Sequence, residues 1–152
     1  MNALNETEQL AQLVLLKHEL LSQLCELAKR QLQIIAADDI DRLMSLLAEK
    51  QRLLHQLQRV ERTLDPFRQQ DAEARQWPSP EARRRCQVIA ERANALLGEL
   101  LQLEKQAEGQ LTQTHAQTAR ELEHSTQAIA ARNAYVAPVA TMPRGLDLMS
   151  ET

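Results

Sequence analysis

Four His and two Cys are the side chains through which this sequence could ligate a metal or attack an electrophile. His18-Glu19 begins like HExxH, in which two His one helical turn apart hold zinc. The fifth residue is Ser22, so the second ligand is missing. Glu121-x-x-His124 has the ExxH form of di-iron bundles, which need a second such pair and two more Glu on facing helices. His18, His55 and His115 follow Leu15, Arg52 and Thr112 at that spacing, so the second pair is absent. The four His are therefore read as residues of helix surfaces and stripe edges. No GxSxG occurs, and a Cys–His nucleophile pair would need a tertiary contact that no spacing announces. Cys25 and Cys86 read as small apolar fillers in a reducing compartment. Gly98, Gly109 and Gly145 cannot form a phosphate-cradling glycine loop. The expectation is a protein with no enzyme activity, no cofactor and no metal.

Composition explains why catalytic motifs are scarce. Leu, Ala, Glu, Arg and Lys supply 80 of the 152 residues, whereas Val, Ile and Thr total 18 and aromatics 3. Such a chain makes long helices and cannot fill the pleated surface of a sheet. A net charge of −3 gives no drive toward nucleic acid or anionic membrane. Arg83-Arg84-Arg85 is interleaved with Asp71, Glu73, Glu81 and Glu91, and reads as a solvated helix start. Uncharged apolar runs such as Leu13 to Leu16 are far short of the ~20 residues that span a bilayer. No signal peptide is readable, so a cytoplasmic location is expected.

The expected fold is all-α: an antiparallel helical hairpin packed on a long third helix, in a coiled-coil-like bundle. One domain over 1–135 would hold helices at 5–37, 39–64 and 80–134, a hinge at 65–79 and a flexible tail at 136–152. Asn5 and Glu8 have the form of a capping box for helix one. Its stripe recurs every seven residues as Leu13, Leu20, Leu27, Ile34 and as Val14, Leu21, Ala28, Ile35, with Lys17 and Gln31 at its edge. Asp38-Asp39 breaks the pattern and reads as a turn plus the cap of helix two, whose stripe holds Ile40, Leu43, Leu46, Leu47, Leu53, Leu57, Val60 and Leu64. So short a connection makes the two helices antiparallel. Asp65-Pro66 ends helix two or starts a short new piece, and Phe67 and Trp77 are expected to cover the end of the bundle. Ser79 and Pro80 fit the N-cap and first position of helix three. That helix carries Cys86, Ile89, Ala93, Leu96, Leu97, Leu100, Leu103 and Ala107, then a stutter near Gly109 where a bend or fray is expected.

Helix three is too long for its partners. At ~1.5 Å per residue it spans roughly 80 Å, against roughly 50 and 39 Å for the hairpin arms. The hairpin should cover the Leu-rich half, Ile89 to Ala107, and leave Gln110 to Tyr135 without an internal neighbour. That stretch has a thin stripe: Leu111, His115, Thr118, Leu122, Ser125 and Ile129. A helix of ~25 residues with so few large apolar side chains is marginal in water. It must fold back, self-associate or take a foreign chain, which makes Leu111, His115, Thr118, Leu122 and Ile129 the candidate partner-binding residues.

The run Ala37-Asp38-Asp39-Ile40-Asp41-Arg42-Leu43, followed by Leu46-Leu47-Ala48-Glu49-Lys50, Leu53-Leu54 and Leu57, resembles the FlgN type of flagellar export chaperone. The likeness covers roughly Leu10 to Tyr135. It implies a cytoplasmic helical chaperone of the flagellar type III secretion pathway. Such a protein binds hook–filament junction (hook-associated) proteins, prevents their premature assembly and delivers them to the export apparatus. It also implies a client-binding surface toward the C-terminal helix, and an aromatic near that helix's end, here Tyr135, that docks on the export gate. The alternative is a structural coiled-coil scaffold in which the long helix forms a homodimer.

Overall fold

The computed structural model describes residues 3–133, with side chains described as far as Ala128. Three helices follow in chain order: α1 (Ala3–Ala37), α2 (Ile40–Arg68) and α3 (Pro80–Asn133), with a short 3-10 turn at Ala72–Ala74. There is no strand among the described residues. The fold is the all-α hairpin on a long third helix. The expected tail at 136–152 lies outside the described residues.

α1 is the central helix. It packs directly on both α2 and α3, whose backbones stay further from each other and meet through side chains. α2 runs antiparallel to α1, so that Lys17 pairs with Glu61 (2.8 Å) and Gln31 meets Lys50 (2.7 Å). α3 runs parallel to α1. The Thr7 hydroxyl donates to the Gln76 carbonyl (2.9 Å) at one end, the Cys25 thiol to the Leu96 carbonyl (3.3 Å) midway, and Lys29 pairs with Glu99 (3.3 Å) below them.

Seven of the nine buried positions of α1 fall on two lines, Thr7, Leu21, Ala28 and Ile35 on one and Leu10, Leu24 and Gln31 on the other, and Leu20 and Cys25 widen the face. Steps of three and four keep one side of the helix facing its neighbours. In α3 the buried residues Cys86, Ala93, Leu100 and Ala107 recur every seven. Leu21 and Leu24 are completely sequestered at the centre, each worth about 1.5–3 kcal/mol of apolar burial. Phe67 is buried and Trp77 packs half-buried beside the same cluster. The two aromatics thus close the end where the hinge returns.

The turn between α1 and α2 is built by the Asp pair. Asp38 has φ 56, its N–H donates to the Ile35 carbonyl (3.1 Å), and the Asp39 N–H to the Ile34 carbonyl (3.4 Å). This paired closure satisfies the last carbonyls of α1 around a left-handed residue. The Asp39 side chain then accepts from the Arg42 N–H (3.1 Å) and caps α2. Ser79 does the same for α3, accepting from the Ala82 N–H at 3.1 Å.

Several expectations are corrected. α1 begins at Ala3, so Asn5 lies within its first turn rather than at the cap. The anchor there is Thr7, 2% exposed and bonded to the hinge. α2 passes through Pro66 to Arg68. A Pro two residues from the end removes one backbone bond, and the burial of Phe67 beyond it holds the last turn in place. Ile40 is 61% exposed because the first turn of α2 projects at the tip. Gln31, expected at a stripe edge, is 1% exposed and sits inside the bundle. α3 is unbroken through Gly109.

Candidate functional site

The hairpin tip marks where α3 loses its cover. Ile35, Ala36 and Asp38 form one wall of a shallow cleft whose other wall is Gln110, Gln113, Thr114, Gln117, Thr118 and Glu121 of α3. The internal neighbour therefore reaches about four turns beyond Ala107, to Glu121. The expected end of the cover, Ala107, is therefore too early. The longer arm, α1, starts level with the hinge and sets the actual limit.

The candidate residues divide along this line. Leu111 is half-buried against the small cluster of Ile35, Leu43, Leu47 and Ala107. His115 is half-buried, and its Nε2 is out of solvent with no hydrogen-bond partner among the described residues. Thr118 is half-buried on the cleft wall. Leu122 is 44% exposed, on a helix that has passed both neighbours. Ile129 is helical, but its side chain lies outside the described residues, as does the whole of Tyr135. The structure thus joins Leu111, His115 and Thr118 to the tip, and leaves Leu122 as the described apolar residue of the stripe that projects past it.

The flank of this face is polar and nearly neutral. Gln117, Arg120, Glu121, His124 and Ser125 border an open groove, with Gln117 reaching Glu121 at 3.5 Å. Glu121 and His124 are both exposed. Among the described residues no group of three or more His, Cys, Asp or Glu could hold a metal. Burial pushes the thiols of both Cys25 and Cys86 above their usual range, which keeps them protonated and inert. No described helix is long and apolar enough to cross a membrane.

At the opposite end a cleft of about 300 Å³ lies between the start of α1 and the hinge, among Glu6, Thr7, Leu10, Phe67, Asp71 and Arg75. Arg75 donates to the Phe67 carbonyl, and Arg83 pairs with Glu73 (3.2 Å) in the 3-10 turn. One member of the Arg83–Arg85 run therefore fastens the hinge to α3. Arg84 and Arg85 have no partner among the described residues and no evident task beyond solvation.

Sequence reasoning missed a polar layer in the middle of the bundle. Lys50 of α2 is 1% exposed, and its ammonium donates to Gln31 Oε1 of α1 (2.7 Å) and to the carboxylate of Glu104 in α3. Burial pushes the Lys50 ammonium below its ordinary 10.5, partly offset by Glu104. A signal was present. Each of the three occupies a seam position: Gln31 between Ala28 and Ile35, Lys50 between Leu53 and Leu46, Glu104 between Leu100 and Ala107. What the sequence lacked was the register that places them at one height.

Compared with known proteins, this chain matches no family model, no curated protein and no solved structure.

Proposed function

We propose that this protein is a cytoplasmic export chaperone of the FlgN type, which holds hook–filament junction proteins before assembly and delivers them to the flagellar type III export apparatus. One observation carries the reading: α3 continues past the α1–α2 tip with Leu122 open to solvent on its stripe. A single helix that keeps a large apolar side chain open on its stripe is a docking surface for another helix. Few large apolar side chains limit the buried area, so the partner can be released. A chaperone acting this way needs no nucleotide. The bound client is withdrawn from polymerisation by mass action, and a competing site recovers it. The resemblance over Ala37 to Leu57 supplies the client class, and Tyr135 is proposed as the contact with the export gate.

The test is calorimetric titration of the purified protein with the C-terminal segment of a hook–filament junction protein. Binding is expected, with at least a tenfold loss for Leu122→Asp and unchanged thermal unfolding, since that side chain is exposed. Absence of binding, or equal binding by the variant, would refute the proposal. A tight homodimer indifferent to the segment would favour a coiled-coil scaffold instead. In cells, Tyr135→Ala should reduce client secretion while leaving unfolding unchanged, and normal secretion would remove Tyr135 from the site.

A further inference from the structure

The apolar core is not continuous along the bundle. The main cluster runs from Leu10 and Phe67 down to Ala28, Leu53 and Leu100. A second one holds Ile35, Leu43, Leu47 and Ala107 at the tip. Between Ala28 and Ile35, between Leu53 and Leu47, and between Leu100 and Ala107, the inward residues are Gln31, Lys50 and Glu104. Each helix contributes one member, and all three are joined through the Lys50 ammonium. The layer takes one buried position from every helix, with Leu32 and Leu103 half-buried beside it.

We propose that this polar layer divides the protein into two units, so that the tip (Ile34–Leu47 with Glu104–Thr118) opens and closes while the main bundle stays folded. Apolar layers stacked directly on one another lose contact together, which couples their stability. A hydrogen-bonded ionic layer interrupts that coupling. Its attraction depends on fixed geometry, and on opening, water recovers much of what the pair gave up. Opening that starts at the tip therefore exposes four buried residues of the small cluster and hydrates Lys50 and Glu104. It then halts at the apolar layer of Ala28, Leu53 and Leu100. Regions with few buried apolar neighbours are the ones that open locally. A released α3 segment also gains exchange-competent states, because a single helix of that length is marginal alone. The division holds whatever chain α3 binds. Where α3 does take a partner, opening extends its free stripe from Leu122 back through Leu111 to Ala107.

Native-state amide hydrogen exchange on the full chain tests it. The expected profile falls in a step: protection at Leu43–Leu47 and Ala107–Leu111 at least tenfold below that at Leu20–Ala28 and Leu53–Val60. A smooth decline toward the tip would mean ordinary end fraying and would overturn the proposal, as would equal protection throughout. Replacing the layer in Gln31→Leu/Lys50→Met/Glu104→Leu should merge the clusters and bring the two protections within about threefold. A folded triple variant that keeps the step would also overturn it. Should that variant lose its helical signal, the profile of the unaltered protein decides alone.

Discussion

Glu61 shows how a residue at the edge of the core responds to its partners. Partial burial pushes its carboxyl up, but hydrogen bonds from Lys17 and Arg68 outweigh that, and the group lies below its ordinary 4.5. About a third of the side chain still meets water, which screens the pairs, so Glu61→Gln should cost only about 0.5–1 kcal/mol near neutral pH. By linkage, a carboxyl with a depressed folded value adds stability above about pH 4.5 and loses it as pH falls through that folded value. The gap between the melting curves of protein and variant should therefore narrow as pH falls below 4.5. A gap that stays constant through the whole acid limb would show that Glu61 acts by packing instead. Lys50 is the opposite kind of residue, since its ion pair is enclosed. Glu104→Ala leaves the ammonium buried with Gln31 alone and should destabilise by about 3–5 kcal/mol, read as a lower denaturation midpoint. A loss under 1 kcal/mol would mean that water reaches Lys50 without cost.

At the scale of elements, the helices and their ends were legible because each is set by a few local residues. Asp39, Ser79 and Pro80 announce caps by their chemistry, and the structure uses all three. Ile40 and Gln31 depart from expectation for a shared reason. A stripe identifies which side of a helix faces inward, but where a neighbouring helix ends decides whether a given turn is covered. Ile40 satisfies the spacing and projects from the tip. Gln31 breaks the polarity rule and is enclosed, because Lys50 and Glu104 arrive at its height from other elements. The same logic applies to the glycines of α3. An added Cβ at Gly98 or Gly109 meets nothing within 4 Å, both positions are exposed, and neither has a positive φ. Gly98→Ala and Gly109→Ala should each raise stability by about 1 kcal/mol through helix propensity alone. A destabilised Gly109→Ala would reveal that the stutter beside it needs a more pliable backbone.

For the molecule as a whole, unequal helix length is the feature that distinguishes this bundle from one that merely buries itself. α1 has 35 residues, α2 29 and α3 54, and the parallel register of α1 with α3 uses up the covered portion by about Glu121. Beyond Glu121, no described residue of α3 adds to either core cluster. On the proposed function, folding and binding fall to different parts of one continuous helix. Ending the chain after Glu121 separates them. The shortened protein should melt within about 3 °C of the intact one, because every buried apolar residue among the described ones remains. Its helical ellipticity should fall by about a tenth, the share of the described helix removed. Capture of a junction-protein segment should fall with it. If the truncated chain instead loses cooperative unfolding, the far end of α3 supports the bundle and is no spare arm. If it folds normally and still binds at full strength, the binding face lies back toward Leu111 and the tip.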